Sequence, residues 1–474
     1  MERPGPAEVA GAETSGDRRR RGPAQTGRAR AALVLAVAGA VLVLLGVLAA
    51  LGRVPGTGAP AAEEASTAAT SADAGRRVAL EELLAARSAA VLAGDVGGVL
   101  AGVDPAASAF AARQVDLVEG LTRLPLAEWS YDVVAVGPGP AGRPGSWEAD
   151  TLLSYRLEGV DEVPQVRHRS FAVEEQDAGL VLVGDGETPG RPDPWDLGLV
   201  DVVAGERTFV VGTAPRAVLA EQAVLGDAAA RQVDAAWGTG WPRRTVLHVP
   251  ADLDQLARLL GRAGGASPDV TGLDQLAALT TGADRASGEP GAEGAVDRVV
   301  VNPAALDQLG ELGRAVVLTH ETTHVAVRAG AADDPPPWLS EGFAELVAYG
   351  GATAGADDDV LPPEVVAAGT LAAVRAGDGP TALPGPAAFD PTGGDVAPAY
   401  GQSFLAARTV EQRHGRQALL DLVRASAGRA ATQQEAAVAP LPAERAVPEV
   451  LGVTLVELEQ QWLADLGSLA AGGS

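Results

Sequence analysis

Two of the five histidines in this chain, His320 and His324, stand four residues apart within a helical pattern. On an α-helix this spacing places both imidazoles on one face, one turn above each other, so that both reach a single metal ion. Val316, Val317 and Val327 belong to the same broad face, which predicts that the histidines point into the protein. Buried polar rings need a compensating partner, and a divalent metal is the simplest one. The alternative is a surface helix whose histidines pair with carboxylates.

Three glutamates complete the pattern around the two histidines. Glu321 directly follows the first histidine and is expected to point toward whatever the metal binds. Glu341 is the candidate for the third ligand that a catalytic metal site needs, and it opens a second helical pattern after an Asp/Pro-rich turn at residues 333–337. Glu345 lies one turn later on the same face and is expected to accept the second ring N–H of a ligand histidine. A solvated Glu345 is the alternative.

The H-E-T-T-H of residues 320–324 and the W-L-S-E-G-F-A of residues 338–344 resemble the gluzincin zinc metallopeptidases, which combine H-E-x-x-H with a downstream glutamate. The resemblance is greatest to the peptidase-MA-like branch. There, as here, a Y-G-Q-S-F stretch (residues 400–404) and a late L-E-x-x-W stretch (residues 458–462) follow. The resemblance covers about residues 196–474, and the two metal motifs are its most specific part.

This resemblance implies a zinc-dependent hydrolase that cleaves peptide bonds in a peptide or protein substrate. It implies that His320, His324 and Glu341 bind one zinc ion and that Glu321 is the general base. Related enzymes use a downstream tyrosine as a hydrogen-bond donor to the oxyanion, and Tyr400 is the matching residue. The alternative for this tyrosine is packing at a helix start with its hydroxyl in water.

Two further features bear on the kind of activity. Related aminopeptidases hold the substrate amino terminus with a G-x-M-E-N stretch, which is absent because the only methionine is Met1. An endopeptidase or an undefined cleavage mode is therefore expected. The alternative function is a membrane-tethered binding or scaffold protein with a structural or vestigial metal site. Structural zinc sites normally use four ligands, whereas three candidates converge here and the general base is retained, so the sequence favours the enzyme.

Composition excludes several classes of function. The net charge of −26 argues against nucleic acid as a partner, because binding to phosphates needs a basic surface. The chain has no cysteine, which excludes disulfides, thiolate metal sites and a lipid-modified cysteine anchor. Neither composition nor motifs indicate an oligomeric state or a particular substrate.

The first part of the chain predicts a membrane anchor. Residues 1–30 are polar and rich in arginine, which predicts a disordered basic tail. Residues 31–51 carry no charge and would span roughly 31 Å as a helix, enough for a bilayer core. The preceding arginines predict a cytoplasmic N-terminus, so we expect a single-pass protein of the cell membrane with an extracellular catalytic domain. The alternative is a signal peptide cleaved near residues 59–61.

Three further segments follow this predicted anchor. Residues 52–75, rich in Ala, Gly, Thr and Ser, predict a flexible linker. Residues 76–190 predict a small α+β domain, because two helical patterns precede four strand-like runs; this order of elements resembles the nuclear-transport-factor-2-like group. Residues 196–474 predict the peptidase-MA-like catalytic domain, mainly helical with a small sheet. The chain as a whole is therefore assigned to the α+β class.

Within the catalytic region, residues 261–296 predict mostly loop with one short helix. Residues 298–301 are a short β-branched run, and the resemblance places an edge strand here, beside the active-site cleft, to which an extended peptide can add. His248 falls in a strand pattern and is interpreted as structural. Thr454 and Glu457 form a capping box that predicts the start of the last helix.

Overall fold

The computed structural model describes residues 61–139, 145–177, 179–186, 191–262, 270, 273, 276–281, 296–351, 361–390, 395–428 and 440–472, with side chains from residue 74 onward. The predicted basic tail and the predicted membrane span at residues 31–51 lie outside the described residues. Residues Ser71–Ser474 form one compact unit, which contains two β-sheets and most of the helices.

The first sheet is antiparallel and follows three helices. The helices are α1 (Ala61–Ala93), α2 (Val96–Leu100) and α3 (Ser108–Leu121). The strands lie in chain order, β1 (Leu126–Pro138), β2 (Ser146–Leu157), β3 (Gln165–Gln176) and β4 (Gly179–Asp185). Every second residue of β2, from Trp147 to Leu157, is buried. This period of two is the pattern of a strand with one face against a core. The first helix begins at Ala61, inside the predicted linker.

The second sheet is mixed. Its strands are β5 (Asp201–Ala204), β6 (Thr208–Gly212), β7 (Thr245–Val249), β8 (Ala278–Thr281) and β9 (Arg298–Val301). They lie in the order β5-β6-β7-β9-β8. The pairs β6–β7 and β7–β9 are parallel, whereas β5–β6 and β8–β9 are antiparallel. Every residue of β7 and β9 is buried, as expected for strands covered on both faces.

The remaining helices belong to the same part of the chain as this second sheet. They are α4 (Arg216–Trp237), α5 (Leu253–Leu259), α6 (Pro303–Leu306), α7 (Glu311–Arg328), α8 (Pro337–Gly351), α9 (Pro363–Val366), α10 (Ala368–Ala376), α11 (Ala397–His414), α12 (Arg416–Ser426), α13 (Ala443–Leu451) and α14 (Leu455–Ala470), with short 3-10 helices at Pro194–Asp196 and Pro386–Phe389. The predicted capping box of Thr454 and Glu457 is confirmed at the start of α14. The largest core lies among these helices and the sheet, and its bulkiest members include Trp237, Phe343, Phe404 and Trp462.

The fold-class prediction of an α+β chain with a mainly helical catalytic domain was wrong. The protein is mixed α/β with two sheets, and the second sheet has three parallel neighbours, β6, β7 and β9. The physical reason lies in the connections, because α4 returns the chain between β6 and β7, and such a helical crossover lets two strands run parallel. Hydrophobic periodicity predicts that strands exist, but not the direction in which they pair.

The prediction of an N-terminal transmembrane helix is corrected as well. In the part of the chain that the structure describes, no helix is long and apolar enough to cross a bilayer. Even the long helix α1 carries charged residues such as Arg76, Arg77, Glu81 and Glu82. The predicted localisation at the cell membrane is corrected on the same finding. Residues 31–51, on which both predictions depended, lie outside the described residues.

A buried ion pair connects the two sheets. Nη2 of Arg298, at the start of β9, lies 2.8 Å from Oδ2 of Asp161, in the turn after β2, and both side chains are almost fully buried. The same carboxylate accepts a hydrogen bond from the Leu157 amide, and Gln165 Nε2 donates to the Val296 carbonyl. Breaking such a pair leaves an uncompensated buried charge. This network therefore holds β9, and with it β8, against the first sheet.

Candidate metal centre

Helix α7 brings the two histidines into the protein interior. Every residue from Leu318 to Val327 is buried, so the helix is enclosed on nearly all sides over three turns. Its many β-branched residues lower intrinsic helix propensity, but packing of a buried helix outweighs propensity. Glu311 in the first turn and Arg328 in the last turn complement the helix dipole.

Three potential ligand atoms meet where α7 faces α8. Nε2 of His320 and Nε2 of His324 lie 3.0 Å apart. Oε2 of Glu341, on α8, lies 3.1 Å from the first nitrogen and 3.3 Å from the second. The two histidines are buried and the glutamate is half-buried. Among the described residues, this is the one group of three or more His, Cys, Asp or Glu side chains that could hold a metal ion.

The spacing of these atoms fits a single ion. Ligand atoms about 2.0–2.2 Å from one tetrahedral ion are roughly 3.3–3.6 Å apart, and the observed separations of 3.0 to 3.3 Å are only slightly shorter. Two ring nitrogens 3.0 Å apart repel each other unless a proton or a cation lies between their lone pairs. The donor set of two imidazoles and one carboxylate also suits a divalent transition metal. The group can therefore hold a metal ion.

Both imidazole rings are oriented by a second partner on α8. Nδ1 of His320 lies 3.0 Å from Oε1 of Glu345. Nδ1 of His324 lies 3.4 Å from the Ser340 hydroxyl oxygen. Such contacts fix the tautomer and the ring plane of a ligand histidine, and aim its Nε2 at the metal. Sequence reasoning did not single out Ser340, although its position directly before Glu341 was a signal that could have been used.

The carboxylates and imidazoles of this cluster shift each other's protonation. Burial alone lowers the pKa of His320, but the hydrogen bonds to Glu341 and Glu345 outweigh burial and raise that pKa well above its usual value. Burial alone raises the pKa of Glu341, but the nearby His324 and His320 hold it well below the usual carboxyl range. The metal-free cluster therefore keeps a proton at neutral pH, and a metal ion must displace it in order to bind.

Glu321 extends from α7 toward the edge of the second sheet. The backbone amide of Thr280 donates to Oε2 of Glu321 at 2.6 Å, and the Thr280 hydroxyl donates to the same oxygen at 2.6 Å. Neither bond involves Oε1. His324 and Glu321 are three residues apart and therefore leave α7 on neighbouring faces. Glu321 is not one of the three side chains that form the ligand group.

The strand beside Glu321 differs from the predicted one. Residues 298–301 form β9, which lies between β7 and β8 and is not an edge strand. The edge strand next to β9 is β8, and it arises from residues 261–296, which were predicted to be mostly loop. Sequence reasoning therefore missed Thr280. The only signal was the four-residue run A-L-T-T with two β-branched residues, too short to separate from a loop by pattern alone.

Tyr400 lies in the first turn of α11, at the same cluster. Its ring centroid is 6.1 Å from that of His320 and 5.5 Å from that of Phe389. Burial, together with the charges of Glu341 and Glu321, raises the pKa of the Tyr400 phenol. The hydroxyl therefore stays protonated at neutral pH and remains a hydrogen-bond donor.

A glycine sets the distance between the helices that carry Glu341 and Tyr400. A Cβ atom built on Gly342 of α8 would lie 2.2 Å from the carbonyl oxygen of Ser403 on α11. No side chain fits in that space, so the backbones of α8 and α11 touch here. This contact brings the start of α11 close to the ligand face of α8.

Comparison with protein-family models found no match, and comparison with curated proteins found none. The resemblance to the gluzincin metallopeptidases therefore rests on the motifs of residues 320–324 and 338–344 and stays a prediction. The prediction that His320, His324 and Glu341 can hold a metal ion is confirmed by their geometry.

Proposed function

We propose that this protein is a zinc-dependent peptidase that hydrolyses peptide bonds in peptide or protein substrates. One observation carries the proposal. The three ligand atoms of His320, His324 and Glu341 lie within 3.3 Å of one another. Glu321 directly follows His320 on the same helix, and the ring centroid of Tyr400 lies 6.1 Å from that of His320. A cluster that served only to hold a structural metal would need neither a neighbouring carboxylate outside the ligand set nor a phenol.

Zinc is the ion that we propose, because two histidines and one glutamate form the ligand set of catalytic zinc sites that keep one position for water or substrate. When bound, zinc would polarise the scissile carbonyl and lower the pKa of a water molecule. Structural zinc sites normally use four protein ligands, and three such side chains converge among the described residues.

Glu321 is the group that we propose to accept the proton of the attacking water. Both hydrogen bonds from Thr280 converge on Oε2, which holds the carboxylate in place and leaves Oε1 to take the proton. A fixed carboxylate within reach of the reacting water is the requirement for a general base. The same carboxylate then delivers the proton to the leaving amine.

Tyr400 is the group that we propose to stabilise the oxyanion of the transition state. Its protonated phenol donates a hydrogen bond without carrying charge in the ground state, because burial and the nearby carboxylates disfavour the phenolate. A donor placed where negative charge develops lowers the barrier for the chemical step.

A peptide substrate is supported by the position of β8. This strand is one of the two edge strands of its sheet, and an edge strand offers main-chain groups to an extended peptide. The backbone amide of Thr280 is already bonded to Glu321, so a peptide would pair with other main-chain groups of β8. Thr280 of β8 contacts Glu321 directly. A peptide aligned along β8 would therefore pass beside the general base.

The test compares the full chain with single variants on a peptide library whose products are identified by mass spectrometry. We expect the zinc-loaded wild-type protein to cleave peptides. Glu321→Gln should bind near-stoichiometric zinc but lose hydrolysis by several orders of magnitude. Glu311→Gln should cleave as the wild type does. Glu311 is the matched control, because it is an exposed carboxylate on the same helix. Both variants remove one charge from α7, and only one removes the proposed base.

Zinc affinity separates the ligands from the base. His320→Ala, His324→Ala and Glu341→Ala should each lose the metal, which a competitive titration with a chromogenic chelator measures. Full affinity in Glu341→Ala would identify another carboxylate, with Glu345 first, as the third ligand. A wild-type protein that binds zinc but cleaves no peptide in the library would contradict the peptidase proposal and favour a binding protein with a structural metal.

A further inference from the structure

Phe389 is a half-buried aromatic residue at the end of the short 3-10 helix Pro386–Phe389. The three residues before it in this helix are exposed. Among the described residues, Phe389 belongs to none of the hydrophobic clusters, either as a buried member or as a partly buried neighbour. Its ring therefore does not serve a core, and its packing needs another explanation.

The ring of Phe389 packs against Tyr400, the residue whose phenol we propose as the donor to the oxyanion. The two ring centroids lie 5.5 Å apart and the ring planes are at 89°. This is the edge-to-face arrangement that aromatic rings prefer. The Tyr400 centroid also lies 6.1 Å from that of the ligand His320. Phe389 is thus separated from the candidate metal centre by a single side chain.

Ring packing is what fixes the Tyr400 side chain. Its hydroxyl forms no hydrogen bond with the residues that the structure describes, and the start of α11 has no side-chain cap. A group that acts on a transition state must be held by its neighbours within about 0.5 Å of the productive geometry. For Tyr400 that support comes from ring contacts, of which the contact with Phe389 is the closer by centroid distance.

The segment that carries Phe389 is attached to another helix. The backbone amide of Leu383 donates to Oε1 of Glu459, on α14, at 3.1 Å, and Pro384 is buried. Phe389 follows five residues later, so its ring is presented by an anchored segment. A support is effective only if it is itself held in place.

We propose, on the basis of the proposed function, that Phe389 is a positioning residue that holds the Tyr400 ring so that its phenol reaches the oxyanion. Phe389 acts through Tyr400 and contributes no polar group to the reaction. Without the Phe389 ring, the Tyr400 side chain gains access to other rotamers, and its phenol is less often in the productive orientation. Because the hydrogen bond to the oxyanion forms only in the transition state, the loss should appear in kcat and not in KM.

A double-mutant cycle on the zinc-loaded full chain, with a peptide that the wild type cleaves, tests this role. Phe389→Leu removes the ring but keeps an apolar side chain. It should lower kcat by about threefold to tenfold, the factor that corresponds to one aromatic pair, with little change in KM or zinc content. In the Tyr400→Phe background the same replacement should have no further effect, because no phenol remains to be positioned. An equal fall in both backgrounds would overturn the proposal.

Two further variants separate positioning from a general loss of packing. Phe389→Tyr keeps the ring, and its added hydroxyl can reach water at a half-exposed position, so kcat should stay at the wild-type value. Phe209→Leu makes the matched change at a half-buried phenylalanine of β6 that packs against a different hydrophobic cluster, and it should leave kcat unchanged. A fall in kcat of the same size in Phe209→Leu would contradict a specific role for Phe389.

Fluorine NMR of the full chain, with 3-fluorotyrosine at its four tyrosines, detects the contact without a substrate. The signal that is missing from Tyr400→Phe identifies Tyr400. Phe389→Leu should shift this signal, because it removes the adjacent ring, and Phe209→Leu should not. An unshifted signal, or an unchanged kcat in an active enzyme, would refute the role of Phe389 alone. A shifted signal in a wild-type protein that cleaves no peptide would refute the peptidase function and, with it, any catalytic role of the contact.

Discussion

Replacement of Gly342 by alanine tests whether one close contact between two helices maintains the metal centre. The new Cβ would lie 2.2 Å from the carbonyl oxygen of Ser403, about 1 Å closer than van der Waals contact allows. The obstructing atom belongs to the backbone of α11, so no side-chain rotation relieves the clash. Forcing one extra carbon into a packed interior typically costs about 1–3 kcal/mol, and occasionally more. We expect a loss of stability at or above the upper end of this range.

The same displacement should reach the metal ligands, because Glu341 directly precedes the substituted position. Functional sites require their ligands within about 0.5 Å of the productive geometry, and a helix shift near 1 Å exceeds this tolerance. Zinc affinity in Gly342→Ala should therefore fall at least tenfold. Urea denaturation of the metal-free protein measures the stability change, and a competitive zinc titration measures the affinity.

Gly350→Ala is the matched control, because Gly350 lies on the same helix and nothing lies within 4 Å of its built Cβ. Alanine is a better helix former than glycine by roughly 0.5–1 kcal/mol, so this variant should be as stable as the wild type or slightly more so, with unchanged zinc affinity. Equal stability of both glycine variants would show that α8 and α11 are not in backbone contact. A destabilised Gly342→Ala with full zinc affinity would instead show that the contact does not position Glu341.

Three further predictions concern other parts of the molecule. Asp161→Asn should lower the free energy of unfolding by about 3–5 kcal/mol in a urea titration, because it leaves Arg298 as an uncompensated buried charge. The control Glu128→Gln removes an exposed ion pair and should have little effect in the same titration. Burial lowers the pKa of His248 to about 3, below that of an unfolded histidine. Protonation of His248 therefore favours the unfolded chain. The contribution of the neutral His248 to the free energy of unfolding is complete above pH 6.5, and it is lost at about 1.4 kcal/mol per pH unit as the pH falls toward 3. A His248→Leu variant should show a shallower decline of the urea midpoint between pH 7 and pH 4, and an identical decline would contradict this. If the peptidase proposal holds, Tyr400→Phe should keep its zinc content while kcat falls on the order of a hundredfold with little change in KM, and an unchanged kcat would remove the phenol from the catalytic groups.

Local spacing allowed much of the candidate site to be predicted from the sequence. The four-residue interval between His320 and His324 specifies one helix face, and the interval between Glu341 and Glu345 specifies another. The structure brings these two faces together. The capping box of Thr454 likewise depends on neighbours within one turn. In each case the relevant distance is set inside a single element, where helical geometry leaves little freedom.

The tertiary structure alone decided how the elements meet. Thr280 contacts Glu321 only because β8 pairs on the outside of β9, and no periodicity in four residues predicts that pairing. Gly342 matters because α11, about sixty residues later, touches it. Tertiary structure also decided the parallel order of β6, β7 and β9, which made the fold-class prediction wrong. It likewise decided the buried pairing of residues far apart in the chain. Contacts between elements depend on packing and loop closure across the whole chain, and the spacing of residues within one element does not determine them.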